Sequence, residues 1–176
     1  MIKTGTHRLK PDPGQQLLLK AYQREAACCW NAIVETANCY YRITHKWIGK
    51  NELQKWVKGW FELHSNTVQA LTDKFCANRQ TTARLRKNGN PKARYPYRTK
   101  RFATIPFKQT AIAYTAEGTL RLTLSRGVRL DTGIKPAHKV RTCEIIWRGN
   151  HYGLNYTYES KGADYCLLEG DKAGAW

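Results

Sequence analysis

The chain has 176 residues, of which 30 are Lys or Arg and 13 are Asp or Glu, so its net charge is +17. This length allows one ordinary domain or two small ones with a sizeable core, and the charge far exceeds what solubility requires. No stretch approaches the roughly 20 apolar residues of a membrane-spanning helix, and basic residues interrupt any secretory signal, so we expect a cytoplasmic protein with no membrane partner.

Residues 1–10 alternate like a β-strand, and a long amphipathic helix is predicted to follow. Asp12 can cap this helix with Pro13 at its first position. Apolar residues then recur at spacings of three and four as far as about residue 44. The buried stripe is predicted to comprise Leu18, Tyr22, Ala26, Cys29, Trp30, Ile33, Ala37 and Tyr40, and the polar outer face Lys20, Arg24, Asn31, Glu35, Asn38 and Arg42.

Two further helices are predicted before residue 88. Asn51 is the expected cap of the second helix, whose aromatic-rich stripe is interpreted as core. The segment Asn66-Thr67-Val68-Gln69 resembles a capping box with Asn66 as the cap, and it begins a third helix that runs to about Lys87. The stripe of the second helix is Leu53, Trp56, Val57, Trp60 and Phe61.

A basic stretch of residues 87–108, here called the basic ribbon, follows the third helix. Its glycine and proline residues prevent a helix, so we predict an ordered loop between a helix and a sheet. No acidic residue occurs between Asp73 and Glu117. The positively charged residues of that interval are Lys74, Arg79, Arg84, Arg86, Lys87, Lys92, Arg94, Arg98, Lys100, Arg101 and Lys108.

Aromatic residues are interleaved with these charges. Cations contact phosphates and flat rings stack on bases, so the pattern is typical of a nucleic-acid-binding surface in a nucleoid-associated protein. The alternative for a basic loop alone is a solvated surface. The expected backbone-binding residues are Arg84, Arg86, Lys87, Lys92, Arg94, Arg98, Lys100 and Arg101, together with Lys3, Arg8 and Lys10 of the first strand; the expected stacking residues are Tyr95, Tyr97 and Phe102.

After the ribbon the apolar period changes to two, which predicts four or five antiparallel strands. Leucines alternate over residues 120–124, and a hairpin is expected at Arg148-Gly149-Asn150. Such strands suggest a small barrel or a strongly curved sheet. The first strand should join it, because an isolated strand leaves its backbone unpaired. We therefore predict an α+β fold with the helices inserted between the first and second strands.

The cysteines do not form any C-x-x-C pair, so a zinc site is not expected. Those in predicted helices are interpreted as free core thiols in a reducing compartment. The six cysteines are Cys28, Cys29, Cys39, Cys76, Cys143 and Cys166.

Several short motifs occur in a recognisable order. The N-terminal strand is followed by a Gln-x-x-Leu helix (Gln15 or Gln16 with Leu18 or Leu19), the pair Trp30-Asn31 with Ile33, and Pro96-Tyr97-Arg98 after a basic helix. This order resembles the N-terminal half of the TnpB family, transposon-encoded RNA-guided DNA endonucleases similar to the compact type V CRISPR effectors. The resemblance covers nearly all of the 176 residues.

The resemblance implies a wedge domain, an oligonucleotide-binding-like β-barrel of residues 1–10 and 109–160, with a helical recognition domain inserted across residues 11–108. It also implies guide RNA and target DNA as partners, and the reading of a short target-adjacent motif by the helix that begins near Ser65. Amide side chains can form paired hydrogen bonds with adenine, while helix capping is the alternative role for Asn66 and Gln69. The candidate motif-reading residues are Asn66, Thr67, Gln69 and Asn78.

The chain also departs from the family pattern. The segment of residues 26–29, AACC, replaces an Arg that the family often has, and the zinc-binding insert is absent. The chain does not contain the Gly-x-Asp-x-Gly-like site of a RuvC-type nuclease, and the residues around Asp171 do not resemble that site. We therefore expect no catalytic residue, metal or cofactor in this chain, with Mg²⁺ needed only by a nuclease domain that is not present; residues 161–176 would begin that domain or form a tail.

Two other functions are considered. A stand-alone regulator would bind duplex DNA without a guide and without cutting it. A hydrolase that uses histidine and carboxylate finds no support, because the five histidines are scattered and no G-x-S-x-G, H-E-x-x-H or P-loop motif occurs.

Overall fold

The computed structural model describes residues 1–160 of the chain, and Cys166 and Asp171 lie outside them. The helices are α1 (Pro13–Thr44), α2 (Lys50–Val57) and α3 (Ser65–Lys87). They follow β1 (Ile2–Arg8) and precede the other strands, which confirms the α+β class. Those strands are β2 (Ile105–Phe107), β3 (Ile112–Tyr114), β4 (Leu120–Ser125), β5 (Val128–Asp131), β6 (Val140–Trp147) and β7 (Tyr152–Glu159).

The strands form two antiparallel sheets, ordered β1-β7-β6-β2 and β3-β4-β5. β1 pairs with β7 along its whole length, from Ile2 opposite Glu159 to Arg8 opposite Gly153. The expectation that the first strand joins a sheet is thus confirmed. Within residues 1–160 the hydrogen-bonded ladders leave both sheets open, so these strands do not form a closed barrel.

The predicted hairpin at the end of the described region is confirmed. β6 and β7 pair on either side of Arg148-Gly149-Asn150, with Trp147 opposite Tyr152. Gly149 has a φ of 96°, a backbone conformation that residues with a Cβ rarely adopt. The alternating leucines of β4 are also buried.

The predicted start of α1 is confirmed in detail. The Asp12 carboxylate accepts a hydrogen bond from the Gln15 backbone N–H at 2.8 Å, and the Gln15 side-chain oxygen accepts one from the Asp12 N–H at 3.2 Å. At the N-terminal end of the buried stripe, however, Leu19 and Gln23 are buried, whereas Leu18 and Tyr22 are only partly buried. The buried face of α1 is therefore shifted by one residue from the predicted stripe at this end of the helix.

The predicted caps of the other two helices are wrong. Gly49 occupies the cap position of α2, without a side-chain hydrogen bond, where Asn51 was expected. His64 caps α3 through its Nδ1, which accepts a hydrogen bond from the Asn66 N–H at 3.2 Å. Asn66 therefore lies within the first turn, while the predicted end of α3 at Lys87 is confirmed.

The interpretation of the α2 aromatic stripe as core is also wrong. Leu53 and Val57 are fully buried, but Trp56 and Trp60 are 54% and 59% exposed. α2 ends at Val57, so Trp60 does not continue the helical stripe. One exposed tryptophan thus lies on α2 and the other on the segment that follows it.

Helices and strands share one buried core among the described residues. Ile33, Leu53 and Phe75 of the helices belong to the same cluster as Phe107 and Leu154 of the strands. β2 connects the two parts, because it pairs with β6 and also contacts α1 and α3. None of these helices is both long and apolar enough to span a bilayer.

The cysteines divide into two groups. Cys29 and Cys76 are buried free thiols, as interpreted from the sequence, and Cys143 on β6 is a buried free thiol as well. Cys28 and Cys39 are exposed, so the prediction that they belong to the core is wrong.

Candidate nucleic-acid interface

The middle of the basic ribbon is held against α1 by two adjacent side chains. The Trp30 Nε1–H donates to the Arg98 carbonyl at 3.2 Å. The Asn31 amide donates to the Lys100 carbonyl at 2.9 Å, and its oxygen accepts from the Lys100 N–H at 2.8 Å. Asn31 was assigned from the sequence to the outer face of α1, and the structure shows that this face carries the ribbon.

Two further hydrogen bonds fix the ribbon on either side of this point. The Thr82 hydroxyl of α3 donates to the Arg94 carbonyl at 3.2 Å. The Ala103 N–H donates to the Gln23 carbonyl of α1 at 3.0 Å. All of these anchors are neutral and use the ribbon's main chain, so they order the backbone without occupying its charged side chains.

An aromatic cluster of Tyr41, Trp47, Tyr95 and Tyr97 supports the first half of the ribbon. The ring centroids of Tyr41 and Trp47 are 4.3 Å apart, those of Trp47 and Tyr97 5.9 Å, and those of Tyr95 and Tyr97 5.4 Å. Tyr95 and Tyr97 are half-buried, and burial raises the pKa of Tyr97. Their rings thus stack on one another and on Trp47 within the protein, and their role in stacking on bases stays a prediction.

Four of the eleven cations between Asp73 and Glu117 either pair with a carboxylate or are partly buried against an aromatic ring. Lys74 pairs with Glu144 at 3.4 Å and Lys108 with Asp73 at 2.6 Å. The Arg79 guanidinium lies over the Trp47 ring, 5.0 Å from its centroid. The remaining partner-bound cation is Lys100.

Lys100 is a structural contact rather than a free charge. Its Nζ lies 3.7 Å from the centre of the Trp30 ring, a favourable cation–π distance. Burial, together with the positive charge of Lys74, lowers the pKa of Lys100. Lys100 therefore already has a contact within the protein, and its role in phosphate binding stays a prediction.

The other seven cations are exposed and, within residues 1–160, do not form a salt bridge with any carboxylate. One of them, Arg86, lies over the Tyr95 ring at 5.5 Å. The concavity beside it has a volume of about 710 Å³ and is lined by Lys92 and Arg94 as well. The seven are Arg84, Arg86, Lys87, Lys92, Arg94, Arg98 and Arg101.

A second concave surface includes the later part of the ribbon. This cleft, of about 840 Å³, is lined by Lys20 and Arg24 of α1, by Arg101 and Phe102 of the ribbon, and by Trp147 at the end of β6. Lys20, Arg24 and Trp147 were not among the predicted site residues. Lys20 and Arg24 are spaced at i and i+4, which places two cations on one side of α1. From the sequence alone, this side is interpreted only as the polar outer face of the helix.

The residues proposed to read a target-adjacent motif do not form one surface. Thr67 is fully buried, which excludes it from contact with a ligand in this conformation. The Asn66 amide is hydrogen-bonded to Thr110. Gln69 and Asn78 are exposed, but they are nine residues apart, which at about 100° per residue places them on opposite faces of α3.

The cations predicted in residues 1–10 lie on β1 or directly after it. Lys3 is half-buried, and Arg8 is exposed on β1 at the edge of its sheet. Lys10 lines a small separate cleft with Leu130 and Asp131. Among the described residues, the side chains of these three do not form a salt bridge with the ribbon and do not share a cleft with it.

No family model matches the chain, and no curated protein matches it significantly. The likeness to TnpB thus rests on the order of the sequence motifs alone. Among residues 1–160, no three His, Cys, Asp or Glu side chains are grouped closely enough to hold a metal ion.

Proposed function

We propose that the chain is the nucleic-acid-binding portion of an RNA-guided DNA endonuclease of the TnpB type, which grips guide RNA and target DNA and carries no catalytic site in these residues. One observation carries the proposal. Seven exposed cations without carboxylate partners in residues 1–160 lie at the end of α3 and on a segment whose backbone is held by neutral hydrogen bonds.

The physical argument concerns both charge and order. Each phosphate that a cation neutralises releases condensed counterions, which favours binding of a polyanion. A flexible basic loop would lose conformational entropy when it bound. The anchors at Trp30, Asn31 and Thr82 order the backbone beforehand, so less of the interaction free energy is lost.

The proposal also gives a role to each of the two parts of the fold. The helices and the ribbon would form the recognition domain, and the two open sheets would be the counterpart of the oligonucleotide-binding-like wedge. The core shared by Phe75 and Phe107 supports a rigid relation between the two parts. A rigid relation suits a surface that recognises the shape of a guide–target heteroduplex.

The salt dependence of binding tests the ribbon. The triple variant Arg94→Gln/Arg98→Gln/Arg101→Gln should reduce the slope of log affinity against log salt by about 2–3 for structured RNA or duplex DNA, as three lost phosphate contacts predict. The charge-matched control Arg126→Gln/Arg129→Gln/Lys139→Gln removes three exposed cations elsewhere and should leave the slope nearly unchanged. Equal slopes for both variants would contradict a specific role of the ribbon.

The nucleic acid that co-purifies with the chain separates the two binding functions. Purification without nuclease treatment should yield a structured RNA of defined length if the chain grips a guide. Tight binding of one DNA duplex without any RNA would instead favour the stand-alone regulator. Incubation with Mg²⁺ and target DNA should not produce cleavage, and a robust nick would contradict the absence of a catalytic site.

A further inference from the structure

The cleft between α1, the ribbon and the β6–β7 hairpin is lined by both cations and aromatic rings. Leu17, Lys20 and Arg24 recur at spacings of three and four, so they lie on one face of α1 and form one wall. Arg101 and Phe102 form a second wall. The lining contains three cations and no carboxylate, so it complements an anion.

The same cleft exposes two aromatic rings that come from different elements. Phe102 is 40% exposed and Trp147 is 48% exposed. Arg24 lies 5.5 Å from the centroid of the Phe102 ring, and Trp147 packs against Tyr152 with ring centroids 4.8 Å apart. These contacts hold both rings in place while leaving part of each open to the cleft.

The floor of the cleft is polar and ordered. Gln23 is only 4% exposed, and its side-chain oxygen accepts a hydrogen bond from the Tyr152 hydroxyl at 3.4 Å. The cleft volume of about 840 Å³ is within the range of pockets that hold ligands of nucleotide size. An ordered floor, cationic walls and two open rings together match the chemistry of a phosphate linked to a flat base.

We propose that this cleft binds an unpaired nucleotide of single-stranded RNA or DNA, with its base on Trp147 and Phe102 and its phosphates on Lys20, Arg24 and Arg101. The proposal rests on the proposed function and adds a single-strand site to it. A base within a duplex has both faces stacked on its neighbours, so only an unpaired base can offer a face to these rings.

The test measures affinity by fluorescence anisotropy for uridine and thymidine oligonucleotides of about ten nucleotides, a typical site size for one domain. Trp147→Leu keeps apolar bulk beside Tyr152 but removes the flat ring, and it should weaken binding of both oligonucleotides about fivefold or more. Trp147→Phe restores a ring and should bind within about twofold of the unchanged protein. Trp56→Leu is the matched control, because Trp56 is 54% exposed and lies on α2 outside the lining of the cleft.

A second measurement uses an abasic DNA strand with the same number of phosphates. Its affinity should be equal for the unchanged protein and for Trp147→Leu, because no base is available to stack. The slope of log affinity against log salt should also be unchanged by Trp147→Leu, whereas the ribbon triple variant reduces it. Comparison of the uridine and thymidine strands shows whether the cleft distinguishes RNA from DNA.

The outcomes separate the two proposals. If the unchanged protein binds the oligonucleotides and Trp147→Leu binds them equally well, the cleft is not a nucleotide site, and the proposed function is unaffected. An equal loss for Trp56→Leu also overturns the cleft proposal. If the unchanged protein binds no RNA or DNA of any kind, the proposed function fails, and the cleft proposal fails with it. Far-UV circular dichroism confirms that each variant is folded.

Discussion

At the scale of single residues, one carboxamide connects the long helix to the basic ribbon. Asn31 uses both its donor and its acceptor on the backbone of Lys100, and the neighbouring Trp30 binds the carbonyl of Arg98 and the ammonium of Lys100. The Trp30-Asn31 pair, which the sequence marks only as a short motif, therefore has a physical role in ordering the ribbon.

Asn31→Ala should lower the free energy of unfolding by about 1–3 kcal/mol, because two partly buried hydrogen bonds are lost. Chemical denaturation measures this loss. Asn51→Ala is the matched control, because Asn51 is exposed on α2. This substitution also replaces Asn with Ala in a helix, but it does not break an anchor of the ribbon. Equal stabilities of the two variants would show that the ribbon is not held through Asn31.

Two adjacent cysteines should differ sharply in reactivity. Burial, with the negative charge of Glu25 adding to it, raises the pKa of Cys29 to about 12. At pH 8 only about one Cys29 side chain in ten thousand is therefore a thiolate, the reactive form. Cys28 is exposed, so iodoacetamide should label Cys28 rapidly and Cys29 slowly in the folded protein, as read by tandem mass spectrometry. Equal labelling of the two residues would contradict the position of α1 in the core.

At the scale of elements, the aromatic cluster joins the end of α1, the segment before α2 and the first half of the ribbon. Trp47 contacts the rings of Tyr41, Tyr95 and Tyr97 and the guanidinium of Arg79. These contacts come from four parts of the chain, namely α1, the segment before α2, α3 and the ribbon. The cluster therefore replaces backbone pairing as the support of this part of the ribbon.

Trp47→Ala should destabilise the protein by about 2–4 kcal/mol, somewhat less than a fully buried tryptophan would, because the side chain is only half-buried. It should also make the peptide bonds after Lys92, Arg94 and Arg98 more sensitive to trypsin, since the ribbon loses its support. Trp56→Ala removes an exposed ring of equal size and should change stability by less than about 1 kcal/mol. If trypsin cleaved both variants at the same rate, the cluster would not be what orders the ribbon.

The same scale shows which elements the sequence could predict. The limits of α1 follow from local signals, an Asp-Pro cap and a long apolar period, and the structure reproduces them. The buried face of α2 does not follow from local signals, because its aromatic residues indicate a stripe but not which side of the helix faces the core. Trp56 and Trp60 are exposed because Leu53 and Val57 already fill the contact with the other helices.

The candidate site depended on contacts that no local pattern contains. The charge of the ribbon was visible in the sequence. Its anchors to Trp30 and Asn31, however, join residues that are separated by 68 or 69 positions along the chain. The cleft likewise combines α1, the ribbon and Trp147, which are brought together only by the tertiary fold. For the same reason, the sequence indicated antiparallel strands but not their division between two open sheets.

At the scale of the whole molecule, a net charge of +17 is compensated by few pairs. The salt bridges among residues 1–160 join Asp73, Glu144, Asp131 and Glu159 to basic partners near the surface. Exposed pairs of this kind contribute about 0–1 kcal/mol each, so they do not offset the repulsion among the remaining cations. A polyanion that binds the folded chain should therefore increase its stability.

Heparin, used as a simple polyanion, should raise the Tm of the chain by about 5–10 °C at a concentration near one hundred times its Kd, as linkage predicts for a ligand of the folded state. Differential scanning fluorimetry measures the shift. Sodium chloride at matched ionic strength screens repulsion without occupying a site, so its effect should be smaller. The ribbon variant Arg94→Gln/Arg98→Gln/Arg101→Gln should lose most of the heparin shift, whereas Arg126→Gln/Arg129→Gln/Lys139→Gln, which has the same net charge, should keep it. If the two variants responded equally, net charge alone would explain polyanion binding, and the ordered ribbon would have no special role in it.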